Sequence, residues 1–308
     1  MSPNLHSHIL DTSWQDHVIW SEVANRLKLK FTLSRTTALL LGIAGAILET
    51  LAAQLAPAHL EVARVLSLVG AVVLAAVPLF ARGFGKTHVQ NWIRARSVSE
   101  SLKEEVFFYL TQTGLYADEV RITTLARRTK EIVDKVEDLA VLAVTLKLPV
   151  SSPPVINGPD DYLQCRVTQQ IETYYLPKAK SLSQRLQWCQ WLAAGLTGIA
   201  ALVGGIVGFF QPKLLGAWIA VATTIAGAIT AHAAAARYEE LVMSYYSTAK
   251  QLQLLRDQFL DSLRGATPDA ATFAEFVRRC EEVISIETQA WMADWQKLQE
   301  SKPASPPS

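Results

Sequence analysis

The chain has 308 residues, half of them hydrophobic, and a formal net charge of +1 at pH 7. A chain of this length is typical of two domains, and the near-zero charge gives no indication of a nucleic-acid partner. The cysteines Cys165, Cys189 and Cys280 show no CxxC spacing, so they do not indicate a disulfide framework.

The first predicted element is a helix that starts near Asp11. Residues 1–8 show no pattern and are expected to be unstructured. Apolar positions then recur at spacings of four and three, which is typical of one helix face: Trp20, Ala24, Leu27 and Phe31. This helix is expected to run into the apolar stretch that follows.

Two apolar stretches, 36–56 and 62–81, flank a short break that begins at Pro57. Each has about 20 residues, which at ~1.5 Å per residue crosses a hydrocarbon core of roughly 30 Å. Because a segment in lipid must satisfy its own backbone polar groups, the pair is predicted to be a tight antiparallel helical hairpin. A buried helical hairpin of a soluble protein is the alternative.

Two further helices are predicted after this hairpin. The first ends near Gly114 and carries an apolar face at Trp92, Ala95, Leu102, Val106 and Tyr109. The second carries a similar face at Leu125, Ile132, Val136, Leu139, Ala143 and Leu146. Both faces are interpreted as core packing.

A proline-rich segment, 148–160, is predicted to be a linker between two domains, 1–147 and 161–300. The order of elements then repeats: a helix from about Asp161, two spans at 189–210 and 214–236, and two more helices separated at Thr267-Pro268-Asp269. Pro177 is expected to kink the first of these helices or to start a new one. The tail 301–308 is expected to be disordered from its composition.

The halves align without a gap across the first span at an offset of 155 residues, which pairs Trp20 with Tyr175 and Ala24 with Ala179. The sequence therefore predicts an all-α membrane protein with two tandem 2-TM helical hairpins, or four TM helices. Long helices would extend from the hairpins into a cytoplasmic helical bundle. A parallel repeat relates its copies about an axis along the membrane normal, and such symmetry suits a central pore or bundle.

Flanking charge predicts the orientation. Basic residues precede the first span (Arg26, Lys28, Lys30, Arg35), follow the second (Arg82, Lys86, Arg94, Arg96) and precede the third (Lys178, Lys180, Arg185). The hairpin tips carry only Arg64, opposed by Glu61, and Lys213. The positive-inside rule therefore places both termini and the middle segment in the cytoplasm of a multi-pass inner-membrane protein.

Glu49 is the charged residue deep in a span, and an intramembrane carboxylate usually faces a bundle interior or a water path. Small or polar residues form stripes on its own helix and on the third and fourth spans. The candidate pore or ion-path residues are Glu49, Gly42, Gly45, Thr197, Gly204, Gly208, Thr223 and Thr224. The alternative is that these stripes only pack helix against helix, as Gly-x-x-x-Gly motifs do.

No catalytic signature is found: the sequence has no nucleophile–base pair, P-loop or zincin motif. His6, His8 and His17 lie in or beside the N-terminus with no Cys or carboxylate cluster, so no metal site is predicted. We therefore expect neither an enzyme nor a bound cofactor.

The repeated unit resembles a known family. The unit is an aromatic-plus-Ala helix (WSEVANRLKLK; YYLPKAKSLSQR), a 2-helix hairpin and a basic helix (WIRARSVSESLKEEVFFYL). It is similar to the SLATT family, two-transmembrane effectors found beside SMODS synthases and SLOG nucleotide-sensing domains. The resemblance covers nearly the whole chain as a tandem pair. The segment DYLQCRVTQQIETYYLPKA, with Tyr162, Arg166, Gln170, Tyr174, Tyr175 and Ala179, looks like the first helix of one subtype.

The resemblance implies a prokaryotic inner-membrane, pore-forming effector of a conflict or defence system, with gating by nucleotide-derived ligands as one expectation. No GxGxxG motif follows a strand here, so a nucleotide sensor would be a separate partner. The other expected partners are the lipid bilayer and further copies of the chain, as a homo-oligomer. Two alternatives remain: a small ion- or proton-coupled transporter that uses Glu49, and a structural membrane scaffold.

Overall fold

The structure is a computed structural model, and it describes residues 3–81, 86–146, 148, 151–210, 215–263 and 268–300. Every regular element within these ranges is helical, and none is a strand. Four helices in the described part of the chain are long and apolar enough to cross a membrane. The predicted fold class, an all-α membrane protein with four TM helices, is confirmed.

The first half contains α1 (Pro3–Leu55), α2 (Leu60–Ala81), α3 (Lys86–Thr111), α4 (Arg121–Val133) and α5 (Ala140–Val144). Since α1 already begins at Pro3, the expectation of an unstructured start is wrong for residues 3–8. The second helix predicted after the hairpin is also not continuous. A 3₁₀ segment, Asp134–Leu139, follows α4, and Val136 within it leaves helical geometry at φ −129° and ψ 21°.

The second half contains α6 (Pro159–Tyr162), α7 (Leu176–Phe210), α8 (Gly216–Ala235), α9 (Tyr238–Leu263) and α10 (Ala270–Glu300). Residues 151–157 have no regular secondary structure. α10 begins directly after the predicted Pro268-Asp269 break, where Asp269 accepts a hydrogen bond from the backbone N–H of Thr272 at 2.7 Å. This is a helix N-cap, and it explains why the chain resumes helical geometry at that point.

Between α6 and α7 the chain is π-helical, over Leu163–Thr168 and Gln170–Tyr175. Buried side chains recur there at spacings of four and five: Tyr162, Arg166, Ile171 and Tyr175. The wider i→i+5 bonding of a π-helix keeps such positions on one face. α-helical geometry resumes at Leu176, beside Pro177. This agrees with one of the two predictions made for that proline, namely that a new helix starts there.

The described residues form two compact units. Unit 1 comprises those within 1–28, 86–178 and 244–308, and unit 2 those within 29–85 and 179–243. Each unit therefore draws on both sequence halves. The division at 148–160 into domains 1–147 and 161–300 stays a prediction about the chain's repeat. Part of that linker, the connection 211–213 and the tail 301–308 lie outside the described residues.

Unit 1 is organised around α3. The apolar face predicted for this helix is confirmed, since all five of its residues are buried: Trp92, Ala95, Leu102, Val106 and Tyr109. α4 and α10 both pack against α3. A second buried group joins the end of α3 to the start of α4, through Tyr109, Tyr116, Ile122 and Leu125.

Unit 2 contains the four predicted spans, which coincide with the end of α1, with α2, with the later part of α7 and with α8. Large apolar side chains on these helices remain uncovered, among them Trp191, Leu202 and Phe209. In the most apolar stretch of each spanning helix, no more than 17% of the residues are buried. A surface of this kind suits lipid or other apolar helices rather than water.

Candidate functional site

Glu49 lies in the hairpin that α1 and α2 form. One of its carboxylate oxygens, Oε2, accepts a hydrogen bond from Ser67 Oγ of α2 at 3.0 Å. The other oxygen lies against Gly70, where a Cβ would be only 2.7 Å from Oε1. Glu49 is half-buried rather than enclosed. The carboxylate is thus held by α2 on one side and left partly uncovered on the other.

The two glycines predicted to share the face of Glu49 differ in their surroundings. Gly45 is buried, and a Cβ on it would lie 2.5 Å from Leu74 of α2. At Gly42 a Cβ would meet nothing within 4 Å. Gly45 therefore permits the close approach of α1 and α2, whereas Gly42 leaves an open position on the helix.

The candidates on α7 and α8 lie mainly on uncovered helix surface. Thr197 donates to the backbone carbonyl of Ala193 at 2.8 Å, and Thr223 donates to that of Ile219 at 2.9 Å. Thr224 and Gly208 are exposed, while Gly204 lies near Ile219 of α8. The two threonines that bond their own helices need no polar neighbour, so their hydroxyl groups alone do not indicate a water path.

The first and last spans contact each other at both ends. Arg35, at the start of the first span, donates to the backbone carbonyls of Ala235, at 2.9 Å, and His232. These carbonyls belong to the last turn of α8, where a cation offsets the helix dipole. At the other end, Trp218 Nε1 donates to Gln54 Oε1 at 3.0 Å. The end of α1 and the start of α8 therefore lie at the same end of unit 2, as a parallel pair of hairpins requires.

Unit 1 contains a buried ion pair that sequence reasoning did not assign. Arg166 Nε donates to Glu281 Oε1 at 2.9 Å, Nη2 donates to Oε2 at 2.6 Å, and both side chains are 1% exposed. Tyr162 donates its hydroxyl to Glu281 Oε1 at 3.0 Å, and the Arg166 guanidinium lies 4.6 Å from the ring centre of Phe107. Arg166 Nη1 is buried without a hydrogen-bond partner in the described structure.

The sequence does indicate that Glu281 is buried and paired. It follows Cys280 on the apolar face of α10 and lies four residues after Val277, where a core residue is expected. A carboxylate at such a position predicts a buried cationic partner, because a lone buried charge costs several kcal/mol. The sequence does not say which of the many cations of the chain that partner is.

Three titratable residues of α3 lie in the electrostatic field of this pair. Burial alone would raise the pKa of Glu100, but Arg96 and Lys103 outweigh it and hold that pKa at about 2. Burial and Arg166 lower the pKa of Lys103 to about 8. Burial, Glu281 and Glu105 raise the pKa of Glu104 to about 7. Burial and the neighbouring charges thus move the pKa of Lys103 and the pKa of Glu104 toward neutral pH.

His17 packs on the same helix. Its Nδ1 lies 2.8 Å from the backbone carbonyl of Ser99 and 3.0 Å from Ser99 Oγ. Burial, together with Lys103, lowers the pKa of His17 to about 4, so the ring is neutral and donates to the carbonyl. His17 therefore contributes a structural contact between α1 and α3.

A cavity of about 490 Å³ lies in unit 1, and we call it the α3 groove. Residues of α3, of the 3₁₀ turn Gly114–Tyr116, of α4 with the segment that follows it, and of α10 line it. They are Ser101, Glu104, Glu105, Phe108, Gly114, Leu115, Tyr116, Arg128, Ile132, Lys135, Ala271, Ala274, Glu275 and Arg278. Its volume falls in the range of small-molecule sites. No sequence pattern predicted it, because its walls come from segments more than 100 residues apart.

Comparison with known protein families agrees with this architecture. Residues 162–291 match the model of the SMODS and SLOG-associating 2TM effector domain 1, SLATT_1. Residues 18–122 match a family described as a protein of unknown function, DUF4231. No curated protein and no solved structure shows a significant match. The tandem SLATT pair stays a prediction, since the two halves match different family models. The stretch that contains α7, α8 and α9 is thus similar to the SLATT two-transmembrane effector domain.

Proposed function

We propose that this chain is an oligomeric inner-membrane channel or pore-forming effector of a bacterial conflict system, gated through its cytoplasmic helices. The match of residues 162–291 to a two-transmembrane effector domain carries the proposal, because both α7 and α8 lie inside it. The parallel arrangement of the two hairpins supports it, since such a repeat suits a bundle around an axis along the membrane normal. A nucleotide-sensing partner would be a separate protein.

The surface of unit 2 supports the proposed self-association. Four helices are too few to line a wide water path and shield it from lipid, and their apolar side chains are largely uncovered in one chain. Additional copies around an axis would supply the missing wall. We expect the detergent-solubilised protein to have a mass of several chains, by light scattering combined with chromatography. A monomer at every concentration would contradict this.

Ion flux in proteoliposomes tests the function itself. We expect the purified chain to pass ions down their gradient, with or without an imposed pH gradient. Flux only with the pH gradient would instead favour a proton-coupled transporter, and no flux in any condition would favour a scaffold. Empty liposomes carried through the same reconstitution are the control.

Glu49 is proposed to line or gate the ion path. Glu49→Gln keeps the shape and the hydrogen bond from Ser67 while removing the charge, so we expect altered ion selectivity or altered pH dependence of flux. Ser67→Ala is the matched control, because it removes the same hydrogen bond without changing charge. If both variants conduct as the wild type does, Glu49 is only a packing residue.

The proposed orientation has a direct test. In a background without the three native cysteines, Ala58→Cys lies at a hairpin tip and Val155→Cys on an exposed position of the linker. We expect a membrane-impermeant thiol reagent added outside the cell to label position 58 and not position 155. The reverse result would place the termini outside.

A further inference from the structure

The α3 groove combines an apolar surface with three acidic and three basic side chains, which are not all paired with one another. Phe108, Leu115, Tyr116 and Ile132 give it an aromatic and aliphatic lining, and Ala271 and Ala274 keep the α10 side open. Apolar walls with a few placed polar groups are typical of small-molecule sites. The charged residues decide which class of molecule fits.

Two of the three cations in the groove already have acidic partners. Arg128 donates to Glu105 Oε1 through Nε at 2.8 Å and also through Nη2. Arg278 lies within 2.8 Å of both oxygens of Glu275 and also reaches Glu282. The third cation, Lys135, is exposed. An anion would therefore have to compete with existing ion pairs for most of the positive charge.

The carboxylates of the groove differ from one another in whether they have a partner. Glu105 is engaged by Arg128 and by the hydroxyl of Tyr116. Glu104, on the same helix and one residue away, forms no hydrogen bond or ion pair with any residue that the structure describes. It is nevertheless partly buried and lines the cavity. A carboxylate in this setting is stabilised by any cation that enters the groove.

We propose that the α3 groove binds an organic cation, an ammonium or amidinium group on an aromatic or aliphatic body, with the Glu104 carboxylate as its counter-ion. The body of the ligand would pack on Phe108 and Ile132, and its cation would also gain from the faces of the neighbouring aromatic rings. This site does not depend on the proposed pore, because it is defined by binding to unit 1 alone.

Benzamidine is a suitable probe, since it joins an amidinium group to a phenyl ring. We expect calorimetry on the full-length protein in nanodiscs at about pH 8 to detect binding. Benzamide, which has the same shape without the charge, should bind about tenfold more weakly or not at all, because it lacks an ion pair worth about 1.4 kcal/mol. Benzoate should bind no better than benzamide. Equal or tighter binding of benzoate, or no binding of benzamidine, would overturn the proposal.

Glu104→Gln should weaken benzamidine binding by about tenfold. Glu275→Gln is the matched control, because it removes a carboxylate of the same groove that Arg278 already neutralises, and it should change the affinity by less than about twofold. Equal losses in the two variants, or none in Glu104→Gln, would contradict a specific role for Glu104.

The pH dependence of the wild type gives a second test that needs no substitution. Four charged groups act on Glu104: Glu281 of α10 and Glu105 of α3 favour its protonated form, while Arg166 and Arg128 oppose it. Because their balance and burial place the pKa of Glu104 at about 7, protons compete with the ligand below that pH. Protonation should cost as much affinity as Glu104→Gln does, so the affinity for benzamidine should rise by about tenfold in total as the pH rises through about 7 and then level off. An affinity independent of pH between about 5 and 8 would contradict the assignment.

Discussion

The two units are built from different residues. The largest buried side chains of unit 1 are aromatic or charged, such as Arg166, Tyr116, Tyr162 and Phe107. Among the described residues of unit 2, the buried positions are small ones: Gly45, Ala52, Ala63, Gly70, Ala179, Ala200, Val221, Ala226 and Ala233. In water, burying large apolar side chains stabilises a core. In lipid that driving force between helices is absent, so small residues that allow close packing predominate.

The polar contacts differ in the same way. Unit 1 encloses a bidentate ion pair, and Tyr162 adds edge contacts to Phe107, Phe273 and Phe276 with ring centres 6.0–6.1 Å apart. Unit 2 has its interhelical hydrogen bonds at a few points, such as Ser67–Glu49 and Trp218–Gln54. The comparison predicts that single substitutions in unit 1 act through buried charge, whereas those in unit 2 act through helix spacing.

The largest effect is expected from breaking the buried pair. Arg166→Met or Glu281→Met alone leaves one uncompensated buried charge, which typically costs about 3–5 kcal/mol. The double variant Arg166→Met/Glu281→Met should recover most of this loss, since no charge is then left unpaired. Hydrogen exchange of the α3 and α10 amides in the full-length protein measures the local stability.

Arg278→Met is the control for that series. Arg278 and Glu275 form an exposed ion pair, with side chains 57% and 54% exposed, so its loss should destabilise unit 1 far less than the loss of Arg166 does. Similar losses in Arg278→Met and Arg166→Met would show that burial does not distinguish the two pairs.

Glu104 should make unit 1 less stable as the pH rises. Its pKa is raised from 4.5 to about 7 in the folded chain, so the folded state holds the proton more tightly than the unfolded state does. Stability is then greatest below about pH 4.5 and is lost as the pH rises through about 7. Glu104→Gln removes this loss and should be more stable than the wild type by up to about 3 kcal/mol at pH 8.

At about pH 4.5 Glu104→Gln and the wild type should be nearly equal, because both side chains are then largely neutral. Thermal unfolding at the two pH values, monitored by hydrogen exchange of the α3 amides, measures the difference in stability between the two proteins. A constant difference between the two proteins at all pH values would contradict the assigned titration.

In unit 2, adding a single methyl group should reduce stability at one glycine and have no such effect at another. Gly45→Ala places a Cβ 2.5 Å from Leu74, so either the leucine or the helix must move, at a cost of about 1–3 kcal/mol. Gly42→Ala, three residues earlier, meets nothing and should be neutral or slightly stabilising because alanine favours helix. Thermal melting in nanodiscs compares them, and equal melting temperatures would refute the close contact.

The smallest effect is expected at the hydrogen bond between the first and last spans. Trp218→Phe keeps the ring but removes the Nε1 donor to Gln54, with an expected loss of about 1 kcal/mol. Trp191→Phe changes the same residue type at a position that is 75% exposed, and it should alter stability by less than about 0.5 kcal/mol. A larger loss in Trp191→Phe would mean that Trp191 is covered in the assembled protein.

Several features were available from the sequence alone because they depend on local spacing. The 3.6-residue period marked the buried face of α3, and the length and apolarity of four stretches marked the spans. The alignment of the two halves also paired Trp20 with Tyr175, and both side chains are buried. Where local geometry departs from the α-helix, spacing was misleading: a continuous helix through Val136 was predicted, and a 3₁₀ segment was found.

Contacts between distant segments were decided only by the tertiary structure. Arg166 and Glu281 are 115 residues apart, and either could have paired with many other charges. Glu104 has no hydrogen-bond or ion-pair partner among the described residues, whereas Glu105 beside it is paired, and this difference depends on where α4 and α10 lie against α3. A sequence determines which helices form because helix bonds are local. Which side chains those helices bury together depends on packing between segments that are distant in the sequence, so no single segment determines it.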